Sequence, residues 1–137
     1  MAPAKRGHYP AEFPRESFVQ RAIESYFIGQ GYQIEQEGYI DLVCRHPETT
    51  VRWVIEAKGH TSDVGLDFRT CLGQIVQAMR DPAVCYGVAV PDTPQYRAQC
   101  RLVSDWVRAA LGLHWLLVAT DGTIQIVAPD ARLGDPT

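Results

Sequence analysis

Three charged side chains, Asp41, Glu56 and Lys58, interrupt two short stretches that are otherwise apolar. Residues 51–59 read Val-Arg-Trp-Val-Ile-Glu-Ala-Lys-Gly. Their β-branched and aromatic content, closed by a glycine, predicts a buried strand. Side chains alternate along a strand, so Glu56 and Lys58 share one face and Val51, Trp53, Ile55 and Ala57 the other. Residues 38–44 read as a second strand, broken by Asp41. The six residues between the two runs, 45–50, include Pro47 and predict a hairpin that sets Asp41 beside Glu56. Two carboxylates this close repel, and a hard divalent cation with oxygen ligands removes the conflict. A lysine alongside can orient water or stabilise developing negative charge during hydrolysis.

The flanking elements must hold these groups in place. Residues 14–28 carry Phe18, Val19, Ala22, Ile23, Tyr26 and Phe27 at helical spacing, with Pro14 in the first turn and Gly29 and Gly31 as the stop. Residues 31–35 lead back towards the Asp41 strand as a short strand or as its extension. After Lys58 comes a polar, glycine-bracketed loop, 59–65, in which Thr61 or Asp63 can cap the next helix. His60 in that loop reads as solvated rather than as a general base. Residues 66–79 form that helix, with Leu66, Phe68, Leu72, Ile75, Val76 and Met79 available for packing and Gly73 permitting close approach to the sheet.

Residues 84–90 are continuously apolar and predict a central strand, reached by a parallel crossover. Residues 95–111 read as one helix whose inner face is Tyr96, Cys100, Val103, Trp106, Val107 and Ala110. Arg97, Arg101 and Arg108 then fall outward, as a solvated face or a modest phosphate-facing patch. Strands over 113–120 and 123–128 meet at Asp121-Gly122, a strong hairpin signal.

At 137 residues, with 46% hydrophobic and 21% charged residues, the chain predicts one soluble domain. It divides into a mobile arm over 1–13, a core over 14–128 and a polar tail over 129–137. No apolar run approaches the ~20 residues of a membrane helix and no signal-peptide core is visible, so a cytoplasmic protein without membrane contact is expected. The four cysteines, 44, 71, 85 and 100, lack close-pair spacing. They read as reduced, buried thiols and not as a structural zinc site. The net charge of −3 argues against strong autonomous nucleic-acid binding, since phosphate contacts need a basic surface. It leaves a nuclease open, because active-site carboxylates and a metal act apart from the flanking surface.

The order helix, strands, helix, strand, helix, two strands gives an α/β sandwich around a mixed sheet. Within that order, Asp41 followed by Glu56-Ala57-Lys58 on the next strand resembles the PD-(D/E)XK nuclease superfamily, with Ile40 where the motif's proline would stand. The resemblance spans residues 15–91. It implies the restriction-endonuclease-like fold, a single-domain three-layer sandwich with helices on both sides of a mixed central sheet. It further implies a Mg²⁺- or Mn²⁺-dependent phosphodiesterase acting on nucleic acid, with DNA the foremost substrate.

Asp41 and Glu56 would hold the metal with help from the Ala57 carbonyl, and Lys58 would act on the attacking water. Gln74 is similar to a positioning glutamine of resolvase-like and exonuclease-like members. A glutamate on the first helix often completes such a site. The spacing of resolvase-like members points to Gln20, whereas Glu16, one turn earlier on the same face, is the carboxylate candidate. A homodimer or a partner subunit is expected, since cutting both strands usually takes two sites. The alternative is a non-catalytic module, retaining the fold for protein assembly or nucleic-acid contact.

Overall fold

A computed structural model describes residues 12–35 and 40–134. Residues 1–11 of the arm, and Gly38 and Tyr39 of the expected Asp41 strand, lie outside the described residues. Strands β1 (Gln33–Glu35), β2 (Leu42–Arg45), β3 (Arg52–Ala57), β4 (Cys85–Pro91), β5 (Leu113–Val118) and β6 (Ile124–Val127) lie side by side in chain order as one six-stranded sheet. β1, β2 and β3 are antiparallel, β3, β4 and β5 are parallel, and β6 closes the far edge antiparallel. The mixed α/β sheet is therefore present, and its helices make three layers.

Helix α1 (Glu16–Gly29) covers one face and buries Val19, Ile23 and Phe27 against Trp53, Ile55 and Ala57 of β3. Their i, i+4, i+8 spacing keeps them on one stripe. Helix α2 (Val64–Ala78), the β3–β4 crossover, covers the opposite face and buries Phe68, Cys71 and Ile75 against Val43, Val54 and Val88. Asp63 caps it, its carboxylate accepting from the Leu66 N–H at 3.0 Å. At the β5–β6 hairpin Gly122 takes φ +86°, and Asp121 Oδ1 accepts from the Thr123 N–H at 3.0 Å.

Three local expectations fail. The helix expected over 95–111 is two, α3 (Pro94–Arg101) and α4 (Asp105–Leu111), because Ser104 is extended at φ −61°, ψ 145° and starts the second afresh. The break changes the helical phase. Trp106, expected inside, is 74% exposed, while Arg108, expected on the solvated face, is only 1% exposed. Gly73 meets nothing within 4 Å where a Cβ would stand, so it makes no close approach. The tail is also not simply polar, since Leu133 packs against the core. Its Gly134 carbonyl accepts from Arg97 Nη1 at 3.4 Å and from Arg101 Nη2 at 2.6 Å.

Candidate functional site

The β2–β3 register pairs Leu42 with Ile55, so one step further out Asp41 stands across from Glu56. Asp41 Oδ2 accepts from the Ala57 N–H at 2.8 Å, which ties the carboxylate to the end of β3. Glu56 lies on the Val54 face, beneath α2, and is 3% exposed. The Asp41 carboxyl faces it across the β2–β3 pair. Burial is the main reason that the Glu56 carboxyl is pushed up to about 8; the Asp41 charge and hydrogen bond add to it, and Lys58 opposes it. Lys58 follows at the strand end, half-buried, with its backbone N–H on the Ala89 carbonyl at 3.0 Å.

The first helix delivers two groups to this end of the sheet. Gln20 Nε2 donates to the Asp41 carbonyl at 2.7 Å and to Glu24 at 2.8 Å, so it braces the backbone that presents the Asp41 carboxylate. Glu16 is exposed, and its carboxyl is raised by partial burial and by Asp41 and Asp67, with Lys58 acting the other way. Its position depends on Gly59. A Cβ there would run into the Glu16 nitrogen and the Arg15 carbonyl carbon, so only glycine lets the helix start pack against the loop. The His60 N–H donating to the Pro14 carbonyl at 2.8 Å fastens the same junction. Tyr96 does so from beneath, its hydroxyl donating to the Gly59 carbonyl at 2.6 Å.

Gln74 is not brought to the cluster. Phe68, Cys71 and Ile75 take the inward stripe of α2, which turns Gln74 outward to an exposed position. His60 is not simply solvated, because its Nδ1 is buried without a hydrogen-bond partner among the described residues, and its ring stands edge-on to Tyr96. Asp67, in the first turn of α2, was missed by the sequence reading. It accepts from the Thr61 hydroxyl and acts electrostatically on both Glu16 and Tyr96. The available signal was its place four residues after the capping Asp63, at the start of the helix that follows Lys58.

Among the described residues no group of three or more His, Cys, Asp or Glu side chains is gathered to hold a metal ion. The donor set that does meet is a carboxylate pair. A cation between the two would remove their repulsion, and hard cations such as Mg²⁺ commonly bind through one or two carboxylates and keep several waters. Asp41 and Glu56 thus fit such an ion.

No family model and no curated protein matches the chain. Among the solved structures that share its fold, an XisH family protein from Nostoc punctiforme is 17% identical, with a TM-score of 0.57, covering 79% of this chain and 96% of that one. An fdxN element excision controlling factor protein from Anabaena variabilis is 15% identical, with a TM-score of 0.55, covering 80% and 96%.

Proposed function

We propose that this protein is a divalent-metal-dependent nuclease of the PD-(D/E)XK kind, hydrolysing phosphodiester bonds of nucleic acid, foremost DNA. The observation that carries the reading is the contact between Asp41 and a buried Glu56 at the end of β3, with Lys58 two residues further on. Burying a carboxylate against another is costly unless the arrangement serves a ligand. Asp41 and Glu56 would hold Mg²⁺ or Mn²⁺, with the Ala57 carbonyl as a further oxygen donor. When bound, the ion would supply Lewis acidity to the phosphoryl oxygens.

The chain's own residues do the rest. The Lys58 ammonium orients the attacking water and stabilises the charge that builds on the phosphoryl oxygens in the transition state. Gln20 fixes Asp41 through its carbonyl, and Glu16 stands as an outer carboxylate that can bind or order water at the rim. Gln74, turned to solvent, is left out of this mechanism.

The test is cleavage of single-stranded, duplex and branched DNA with Mg²⁺ or Mn²⁺ by wild type, Lys58→Ala and Asp41→Ala, beside calorimetric metal titration. Lys58→Ala should abolish cleavage while leaving metal affinity unchanged or tighter, since a positive charge next to the cation is removed. Asp41→Ala should weaken metal binding. Undiminished cleavage by Lys58→Ala would rule the mechanism out.

A second reading is a non-catalytic module that serves assembly or nucleic-acid contact. It is favoured by the structural neighbour described as an excision controlling factor, a role of control. Metal binding by the wild type with no cleavage of any substrate decides for it.

A further inference from the structure

The break between α3 and α4 turns Arg108 into the protein, and its surroundings differ from those of an ordinary buried arginine. A guanidinium removed from water is normally met by a carboxylate. Here Nη1 donates to the carbonyls of Leu113, Val127 and Ala128 at 3.3, 3.5 and 3.1 Å, and Nη2 donates to that of Ala131. The guanidinium carbon also lies 5.3 Å from the centre of the Trp115 ring. All of these partners are neutral. Asp105 and Asp130 act on Arg108 only electrostatically. A guanidinium carries five N–H donors, and these carbonyls engage those of Nη1 and Nη2.

Beside Arg108 is a cavity of about 280 Å³ whose lining includes Arg101, Arg132, Asp105, Cys100 and Trp115. The single carboxylate of the lining, Asp105, is already paired with Arg132 at 3.5 Å. The lining carries three arginines and one aspartate, with Asp130 acting on Arg108 from outside it, in a chain whose net charge is −3. Holding the C-terminal carbonyls accounts for Nη1 and Nη2 of Arg108. It does not account for the arginine-rich lining or for the open volume.

We propose that the cavity between α3, α4, β5 and the C-terminal segment binds a phosphate-class oxyanion through Arg101, Arg108 and Arg132. The planar guanidinium fork matches tetrahedral oxyanions, and a partly enclosed site strengthens each charge-assisted bond. The site is separate from the carboxylate pair. Trp115 is in register with Val88, and Val88 with Glu56, so two strand spacings, about 10 Å, separate the residues that mark the two sites. Free orthophosphate and the terminal phosphate of a nucleic acid are the two sources of such an anion; the chemistry of capture is the same.

The experiment is calorimetry of the full chain in EDTA at constant ionic strength, which silences any divalent-metal site. Orthophosphate is titrated against a chloride control, and then 5′-phosphorylated and 5′-hydroxyl forms of one short oligonucleotide. Saturable one-to-one phosphate binding is expected. Arg101→Gln and Arg132→Gln, both at exposed positions and checked for native circular dichroism, should each weaken it about tenfold, the loss of one charge-assisted contact. Asp105→Asn frees Arg132 and should tighten binding several-fold, a gain that a merely structural cluster would not give. Absence of saturable phosphate binding, or binding unmoved by all three variants, overturns the proposal. With binding present, tighter capture of the 5′-phosphorylated oligonucleotide than of orthophosphate or the 5′-hydroxyl form identifies a nucleic-acid end. Equal capture of both phosphate forms identifies the free ion.

Discussion

The buried Glu56 should make the metal-free protein less stable as the pH rises, and Glu56→Gln should remove that dependence. In the fold the carboxyl titrates near 8 instead of the usual 4.5, chiefly because it is buried and faces Asp41. A carboxyl raised in the fold holds its proton more tightly in the native than in the unfolded state. Stability is therefore fully present below the unfolded value, falls as pH rises between the two, and levels off above the folded value. Each pH unit in that window is worth about 1.4 kcal/mol. Across the window from 4.5 to about 8 the ceiling is about 5 kcal/mol, and the interaction with Asp41 makes a few kcal/mol the working expectation.

The assay is urea unfolding in EDTA at pH 5 and pH 8 for wild type and Glu56→Gln. The amide has nearly the same shape and can still donate to Asp41, so subtracting the variant removes every other titrating group that it leaves undisturbed. The wild-type protein should lose stability relative to the variant on going from pH 5 to pH 8. Adding Mn²⁺ at pH 8 should restore the wild type and not the variant. An unchanged difference between the two proteins at both pH values would refute the idea that a buried, charge-opposed Glu56 sits in the fold.

Other consequences are as open to measurement. Gly59→Ala should cost about 1–3 kcal/mol in urea unfolding, because the new methyl meets backbone at the start of α1 and has no side chain to push aside. Gln20→Ala removes the donor to the Asp41 carbonyl and should cost about 1 kcal/mol and weaken Mn²⁺ binding in calorimetry. Gln74→Ala, on the exposed side of α2, should move the unfolding free energy by no more than about 0.5 kcal/mol and leave cleavage unchanged. If that last variant loses cleavage at full stability, the glutamine acts on a substrate that the free protein does not show.

The sheet was largely legible in the sequence because its signals are local. Period-two alternation over 51–58 and the Asp121-Gly122 turn each fix a register by themselves, and chain order then equals sheet order. The same alternation brought Asp41 to Glu56. What could not be read was phase across a weak break. Leu102-Val103-Ser104 contains neither glycine nor proline, so the stripe of 95–111 ran on through it and exchanged the places of Trp106 and Arg108. Close approach was misassigned for a related reason. Sequence shows that a glycine permits contact, while only the fold shows which glycine receives it, and the answer was Gly59 rather than Gly73. Asp67 escaped because its role depends on a loop folding over α2, a relation with no fixed spacing.

Arg97, Arg101 and Arg108 reach the segment from Val127 to Gly134 entirely through main-chain carbonyls. A carbonyl is the same in every residue, so this grip is blind to side-chain identity. Val127 and Leu133 belong to the core packing and Arg132 pairs with Asp105, so this latitude falls to the carbonyl-presenting positions such as Ala128 and Ala131. The arginines have no such latitude, since each is recognised by what its own side chain can reach. Mutational tolerance here is therefore one-sided: an interaction of two partners constrains the evolution of only one.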